Sequence, residues 1–347
     1  MRREPHRPTA EAQRWYETGT NALRDGAYFQ ASKALERAIA TDNNFPLAHA
    51  RLAEAWMELD YVDKAKDELL RVATLVPDRS ALPRSDLLYL EAISATVSNN
   101  FAQSVESYQQ IAQLMPDQPH VYVDLGRAYE KNSAREKAIE NYVEAINHDT
   151  QYATAFLRVG ILYGQKQDIQ SAIAAFDKAE ALYQALGNIE GRTEVFHQRG
   201  LLFDLMGKAP EAQAQLEQAL ETARVSNNEH QQIRAILQLS SVAYTAGNTT
   251  QAQEYARQAV ELAQSKGMEN LIARGLVDLG YAYLFHGDYN EAETYFKQGL
   301  DFAQRFKGRR NEARALFSLG SLRMQQGNPN EAVRYLERVL EGLGRLR

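Results

Sequence analysis

The feature that most constrains this sequence is a short phrase that recurs along its length. A turn residue is followed two positions later by a bulky residue and five positions later by a small one, as in residues 26–31 (GAYFQA) and 287–292 (GDYNEA). The small residue returns at intervals of 34, 39, 34 and 34 residues and then four times at intervals of 40. The nine positions are Ala31, Ala65, Ser104, Ala138, Ala172, Ala212, Ala252, Ala292 and Ala332. This period predicts an array of supersecondary units rather than one conventional globular core.

Each repeat contains two stripes of apolar and small residues at helical spacing. In the eighth repeat, Leu276, Gly280 and Tyr283 form the first stripe (helix A), and Ala292 and Phe296 belong to the second (helix B). Residues three and four positions apart share one face of an α-helix. Small residues allow two helices to approach closely, and the aromatic ring fills the space beside them. Because one hairpin cannot bury its apolar faces alone, we expect neighbouring hairpins to stack.

The pattern resembles the tetratricopeptide repeat over residues 12–345. The clearest copy of the family's helix A is in the fourth repeat, and prolines stand where the family's closing proline belongs: Tyr122, Leu125, Gly126, Tyr129, Pro77 and Pro116. Local departures are Glu91, Arg199 and Arg323. The resemblance implies an all-α fold, a right-handed superhelical α-solenoid of about nine helix–turn–helix repeats.

The change of period divides the array into parts. We expect a basic flexible segment at residues 1–11, five repeats of about 34 residues at 12–184 with a longer link at 78–84, and four repeats of 40 residues at 185–347, continuous with the first part. The six additional residues of the later copies are expected at the junction after helix B. Gly187, Asn227, Gly267 and Lys307 recur there, and Gly and Asn tolerate the left-handed conformation that ends a helix. The helices of copies six to nine should therefore be longer.

Composition and motifs exclude several function classes. The chain has no cysteine, which excludes disulfides and thiolate chemistry, and its histidines show no metal-binding spacing. It has neither a phosphate-binding glycine loop nor a nucleophile elbow, and no apolar run could span a membrane. The net charge of −6 disfavours nucleic acid as a partner. We therefore expect no enzymatic activity, no cofactor and no metal.

The candidate site is the inner face of helix A in the later repeats. In the family this face lines the concave groove, and here an arginine begins each stripe while apolar or aromatic residues follow. Arg and Tyr are enriched where proteins bind partners. The predicted groove residues are Arg234, Leu237 and Tyr244, then Arg274, Val277, Tyr281 and Leu284, then Arg314 and Phe317, with Ser241, Ser321 and Met324 completing the stripes.

An alternative for this face is internal packing. Each arginine would then pair with a carboxylate of a neighbouring repeat, and the aromatic rings would pack inside the array. The asparagine ladder of some family members with 40-residue repeats is missing, since Gln198, Gln238, Asp278 and Ser318 stand in its place.

The sequence therefore favours a non-enzymatic module that binds a protein or peptide with acidic and bulky apolar residues in its concave groove. In its general pattern the chain is similar to sensor or docking regions of bacterial signalling regulators. The expected compartment is the cytoplasm, and the periplasm stays possible if the chain is a fragment of a larger protein. The alternatives are a scaffold that self-associates through its last repeat, where 339–343 read VLEGL, and a fragment of a larger enzyme.

Overall fold

The computed structural model describes residues 7–79 and 82–344, and apart from a 3-10 turn at Arg79 every regular element in these ranges is an α-helix. Eighteen helices follow one another in nine hairpins. The all-α class and the tandem hairpin architecture of an α-solenoid are thus confirmed. The chain separates into two compact units, residues 1–191 and 192–347, and each unit is considered by itself below.

The first unit consists of five hairpins. Consecutive helices pack against each other, and the first helices of neighbouring hairpins also touch, α1 against α3 and α3 against α5. The helices are α1 (Ala10–Asp25), α2 (Tyr28–Thr41), α3 (Pro46–Glu58), α4 (Val62–Leu75), α5 (Arg84–Val97), α6 (Phe101–Leu114), α7 (Pro119–Lys131), α8 (Arg135–His148), α9 (Ala153–Gln165) and α10 (Ile169–Ala185).

The second unit holds the remaining hairpins, and α11 begins just before the boundary in sequence. The first helices of successive hairpins again touch, α13 against α15 and α15 against α17. The helices are α11 (Ile189–Leu205), α12 (Ala209–Val225), α13 (Glu229–Thr245), α14 (Thr249–Ser265), α15 (Glu269–His286), α16 (Tyr289–Arg305), α17 (Arg309–Gln325) and α18 (Pro329–Gly344).

The predicted register of the repeats is confirmed by burial. The nine recurring small residues are all at most 1% exposed. Small residues of helix A lie directly against the aromatic ring of helix B: a methyl group added to Gly280 would lie 2.5 Å from the ring of Phe296, and one added to Gly126 would lie 2.5 Å from the ring of Tyr142. In these two hairpins the helices are therefore held at a separation that only a glycine in helix A permits.

The six additional residues of the later repeats lie in the helices and not, as predicted, in the junctions. Helices α3 to α9 have 13 or 14 residues, whereas α11 to α17 have 17 or 18, about one more turn each. The prediction of longer helices in copies six to nine is confirmed. The junction residues do adopt left-handed backbone, with φ of 65° at Gly187 and 54° at Lys307. The helices thus lengthen while the turns keep their geometry.

Parts of three predicted segments lie outside the described residues. These are residues 1–6 of the basic segment, 80 and 81 of the longer link, and 345–347 at the other end. Within the ranges that the structure does describe, no helix is both long enough and apolar enough to cross a membrane. The continuity of the two parts of the array remains a prediction.

A bulky residue at one of the recurring small positions should disrupt the hairpin. Ala212 in α12 is fully buried, so Ala212→Leu must displace its neighbours and should lower the free energy of unfolding by roughly 1–3 kcal/mol. Ala214, on the same helix, is exposed and serves as the matched control. Ala214→Leu should change the stability by less than about 0.5 kcal/mol. Urea unfolding followed by circular dichroism measures both, and equal effects of the two substitutions would contradict the register.

Candidate functional site

The nine predicted groove residues divide into two groups in the second unit. Arg234, Tyr244, Arg274, Tyr281, Arg314 and Phe317 reach the surface at least in part. Leu237, Val277 and Leu284 are buried and at most 5% exposed, which corrects their assignment as contact residues. Val277 and Leu284 belong to the apolar core that α15 forms with α16 and α17.

The correction has a simple geometric cause. At 100° per residue, positions 3 and 10 after the arginine lie about 60–80° to one side of it, toward the core. Positions 4, 7 and 11 lie within about 40° of it. In α15 the residues on this face are therefore Arg274, the buried Asp278, Tyr281 and Phe285, and the sequence analysis missed Phe285. Phe285 could have been predicted from the sequence, because it stands four residues after Tyr281 and so lies on the same face of the helix.

Phe285 completes an exposed aromatic cluster with two of the predicted residues. Its side chain is 58% exposed and meets the ring of Tyr244 edge-on at a centroid distance of 5.2 Å. Tyr244 lies 6.0 Å from Tyr281, and Tyr281 packs edge-on against the buried Phe296 at 5.2 Å. The hydroxyl of Ser318 donates to the hydroxyl oxygen of Tyr281 at 2.9 Å. We call Tyr244, Tyr281 and Phe285 the aromatic patch, and its base is fixed while its outer edge meets solvent.

The first arginine of the predicted ladder is engaged by a carboxylate of the preceding repeat. The two terminal nitrogens of Arg234 donate to the two carboxylate oxygens of Glu194 at 2.8 and 3.2 Å. The side chain of Glu194 is 6% exposed and that of Arg234 is 20% exposed. Such a two-point pair is geometrically specific. Arg234 therefore also fulfils the alternative expectation, a structural pairing between repeats.

The other two arginines share one buried carboxylate. Arg314 donates to Asp278 at 2.5 Å, and the Nε atom of Arg274 lies 3.6 Å from the second oxygen of the same side chain. Arg274 also donates to the side-chain oxygen of Gln238 at 3.3 Å. Arg314 is the most exposed of the three arginines, at 41% of its side chain. Pairing thus orients this group while leaving the guanidinium of Arg314 accessible to solvent.

Phe317 and the aromatic patch are exposed for different reasons. The residues equivalent to it in earlier repeats, Leu237 and Val277, are covered, Leu237 in part by Gly275 of the following repeat. No further described helix covers this side of α17, and Phe317 is 52% exposed. Phe317 and the neighbouring Met324 therefore belong to the end of the described array, and not to the aromatic patch.

Burial and the arginines set the charges of the titratable groups beside Arg234. Burial alone would raise the pKa of Glu194, but Arg234 and its other hydrogen-bond donors hold this pKa at about 2. Burial, reinforced by the positive charge of Arg234, lowers the pKa of His197 to about 3. His197 is therefore neutral at pH 7. Its Nδ1 atom faces a donor of Arg234 at 3.5 Å, which places the proton on Nε2.

Comparison with known proteins identifies the repeats. The family model described as tetratricopeptide repeat matches residues 192–265 and 271–344. No curated protein matches the sequence.

Among solved structures, the chain is similar to a Rap protein complexed with Competence and Sporulation Factor, at 13% identity and a TM-score of 0.62, covering 97% of this chain and 99% of that one. It is also similar to the STAND protein PH0952 of Pyrococcus horikoshii, which has a tetratricopeptide repeat sensor. The sequence identity is 14% and the TM-score 0.56, and the match covers 83% of this chain and 46% of that one. Yeast Tom70 matches at 15% identity and a TM-score of 0.53, with 94% and 68% covered. At these identities the likeness shows the fold alone.

The neutral His197 should make the stability depend on pH. Below pH 6.5 the unfolded chain binds a proton at this residue while the folded chain does not, so stability falls as the pH is lowered from about 6.5 toward 3, by up to about 1.4 kcal/mol per pH unit. The variant His197→Gln should have a shallower slope in this window, measured by urea unfolding at a series of pH values. His286→Gln, whose parent side chain is 60% exposed, is the control and should keep the wild-type slope. An unchanged slope in His197→Gln would contradict the assignment.

Proposed function

We propose that the chain is a non-enzymatic protein-interaction module that binds a partner segment on the helix A surface of its second unit, whose repeats match the tetratricopeptide-repeat family model. The binding surface consists of the aromatic patch together with Arg234, Arg274 and Arg314. The partner is a peptide or protein segment with acidic and bulky apolar residues.

The aromatic patch carries this proposal. Three rings from two neighbouring repeats lie side by side, and Phe285 exposes more than half of its side chain. Large apolar side chains that gather at the surface, with their bases fixed by packing, are typical of surfaces where partners bind. Tyr281 is fixed by Phe296 and Ser318, so little side-chain entropy is lost when a ligand contacts it.

The arginines support the acidic character of the partner. Some of the N–H groups of Arg314 can donate to a ligand carboxylate. Asp278 would still have a cation beside it, because it is also close to Arg274. A charge-assisted contact contributes about 1.5–3 kcal/mol when shielded and much less when exposed. First helices of successive repeats touch, α13 against α15 and α15 against α17, so their axes lie about 8–10 Å apart. An extended ligand would therefore meet one arginine about every three residues, at ~3.3 Å per residue.

A role as the sensor or docking region of a signalling or regulatory protein is the finer part of the proposal. It is supported by the architecture that this chain shares with a STAND protein carrying such a sensor and with a Rap protein that binds Competence and Sporulation Factor. Those proteins share the fold, and the proposed role for this chain rests on the aromatic patch.

A scaffold that self-associates through its last repeat is the second candidate. The observation in its favour is that the last two helices expose Phe317, Met324 and Leu340, each by more than half. Leu343 of the predicted contact segment lies outside the described side chains. Light scattering over a concentration series distinguishes the candidates: growth in mass that Leu340→Ser abolishes supports the scaffold, and a constant monomer mass removes it.

The test of the interaction module is a selection from a library of random peptides displayed on phage. We expect peptides that combine acidic and bulky apolar residues to be enriched. A synthetic copy of the best peptide should lose more than about tenfold in affinity for the double variant Phe285→Ser/Arg314→Ala, since central aromatic and arginine contacts dominate binding energies. Fluorescence anisotropy measures the affinity at low and high salt. Arg234 is left intact because its removal would strand the buried Glu194.

The matched control is Val225→Ser/Val333→Ser. Both valines lie on helices B of the same unit and are exposed by 64% and 51%, comparable to Phe285. The control should bind the peptide as the unmodified chain does. If the patch variant and the control bind equally, or if no acidic and apolar sequence is enriched, the proposed surface is wrong.

A further inference from the structure

In the first unit, the C-terminal end of α1 is anchored on helices that follow it by about a hundred residues or more. Arg24 and Asp25 close α1, and their side chains or carbonyl groups are bonded to α7, α9 and α10. These contacts join the first hairpin to the fourth and fifth. The surfaces of α7, α9 and α10 that face the end of α1, here called their inner surfaces, are therefore occupied by the chain itself.

The strongest contact is a two-point ion pair between Arg24 and Asp124 of α7. The Nε and Nη2 atoms of Arg24 donate to the two oxygens of Asp124 at 3.1 and 2.8 Å, and the aspartate is fully buried. Burial alone would raise the pKa of Asp124, but Arg24 and Arg51 hold it far below its usual range. The pair consequently stays charged throughout the physiological pH range.

The partner aspartate is held in place without help from α1. Arg51 of α3 donates to Asp124 at 3.1 Å and to Glu54 at 2.7 Å, and Arg127 of α7 pairs with Glu54 at 2.9 Å. These side chains are at most 8% exposed. Removal of Arg24 would therefore leave a buried carboxylate that still has a cation beside it.

The carbonyl group of Arg24, near the end of α1, has its own partner on α9. Nε and Nη2 of Arg158 donate to the carbonyl oxygen of Arg24 at 3.0 and 2.9 Å. Gly26 follows with φ of 84°, so the guanidinium covers the negative end of the helix dipole. One oxygen of Asp25 accepts hydrogen bonds from Thr154 of α9 and, at 2.8 Å, from Tyr183 of α10.

The two sides of α1 differ in chemistry. Leu23 packs into the apolar core with Ala31 and Leu35 of α2 and with residues of α3. The contacts with α7, α9 and α10 given above are ion pairs and hydrogen bonds, whose groups water can solvate when they separate. Opening the polar side therefore exposes little apolar surface, whereas opening the apolar side would unfold the hairpin.

We propose that α1 is an intramolecular latch. The inner surfaces of α7, α9 and α10 form a binding site for the C-terminal end of a helix that carries consecutive Arg and Asp, and α1 fills this site in cis. A partner segment reaches these inner surfaces only after the end of α1 has been displaced. The latch is independent of the aromatic patch and of the function proposed for the second unit.

The absence of cysteine from the chain permits a direct test with the whole 347-residue chain. Thr154 is 6% exposed and lies under the end of α1, so the single thiol of Thr154→Cys reports on opening of the latch. Ser104→Cys, at a buried position of α6 away from the latch, is the matched reporter. The rate of labelling by a thiol reagent is measured for each reporter with and without Arg24→Ala. Circular dichroism checks that the helix content is kept.

We expect Arg24→Ala to accelerate labelling at position 154 by about tenfold or more, because a two-point charged contact is lost, and to leave labelling at position 104 unchanged. Tyr183→Phe keeps the ring and removes one hydrogen bond to Asp25, so it should give a smaller acceleration at position 154 alone. It replaces Arg24→Ala if that variant does not fold. Equal acceleration at both reporters would show that the contacts of Arg24 stabilise the whole unit, and it would overturn the latch. Unchanged labelling rates at both reporters would also overturn it.

Discussion

The close contact between a small residue of helix A and a bulky side chain of helix B is the constraint on which the array depends. Gly126 faces Tyr142, Gly160 faces Phe176 and Gly280 faces Phe296, each so closely that an added methyl group would lie within 2.8 Å of the ring. This contact sets the separation of the two helices, and the separation determines which residues of helix A remain at the surface. In α15 the ring of Phe296, which faces Gly280, also supports the edge of Tyr281. The proposed binding surface thus depends on the packing geometry of the hairpin.

Much of the fold could be predicted because it is local and periodic. The buried Ala212 and the left-handed Gly187 were identified from their spacing alone, since the same short-range geometry recurs in every copy. The candidate site was predicted less well. Leu284 was assigned to the surface, but a shift of one residue turns a side chain by 100° and Phe285 is the exposed one. The pairing of Arg24 with Asp124 gave no periodic signal, because it depends on how several hairpins accumulate in space and each residue occupies a different place in its repeat.

Charged residues are used in two ways in this chain. Around Asp124 in the first unit, the arginines are buried, and their contribution to stability depends on each of them keeping its carboxylate partner. In the second unit, Arg314 is paired at one edge and hydrated at the other. A ligand can bind a partly exposed arginine such as Arg314 without breaking contacts within the protein. It can bind one of the buried arginines around Asp124 only by replacing the carboxylate that the arginine already contacts. The two units therefore present different energetic conditions for binding.

The pairs of Arg234 with Glu194 and of Arg314 with Asp278 each join one repeat to the preceding one, at separations of 40 and 36 residues. A duplication or loss of one complete 40-residue copy would keep each arginine in register with the repeat before it. An insertion of a few residues inside a helix would turn the arginine away from its carboxylate and leave a buried charge. The ion pairs therefore tolerate only certain changes in chain length: the array can grow or shrink in whole repeats, and the proposed binding surface would lengthen or shorten in the same steps.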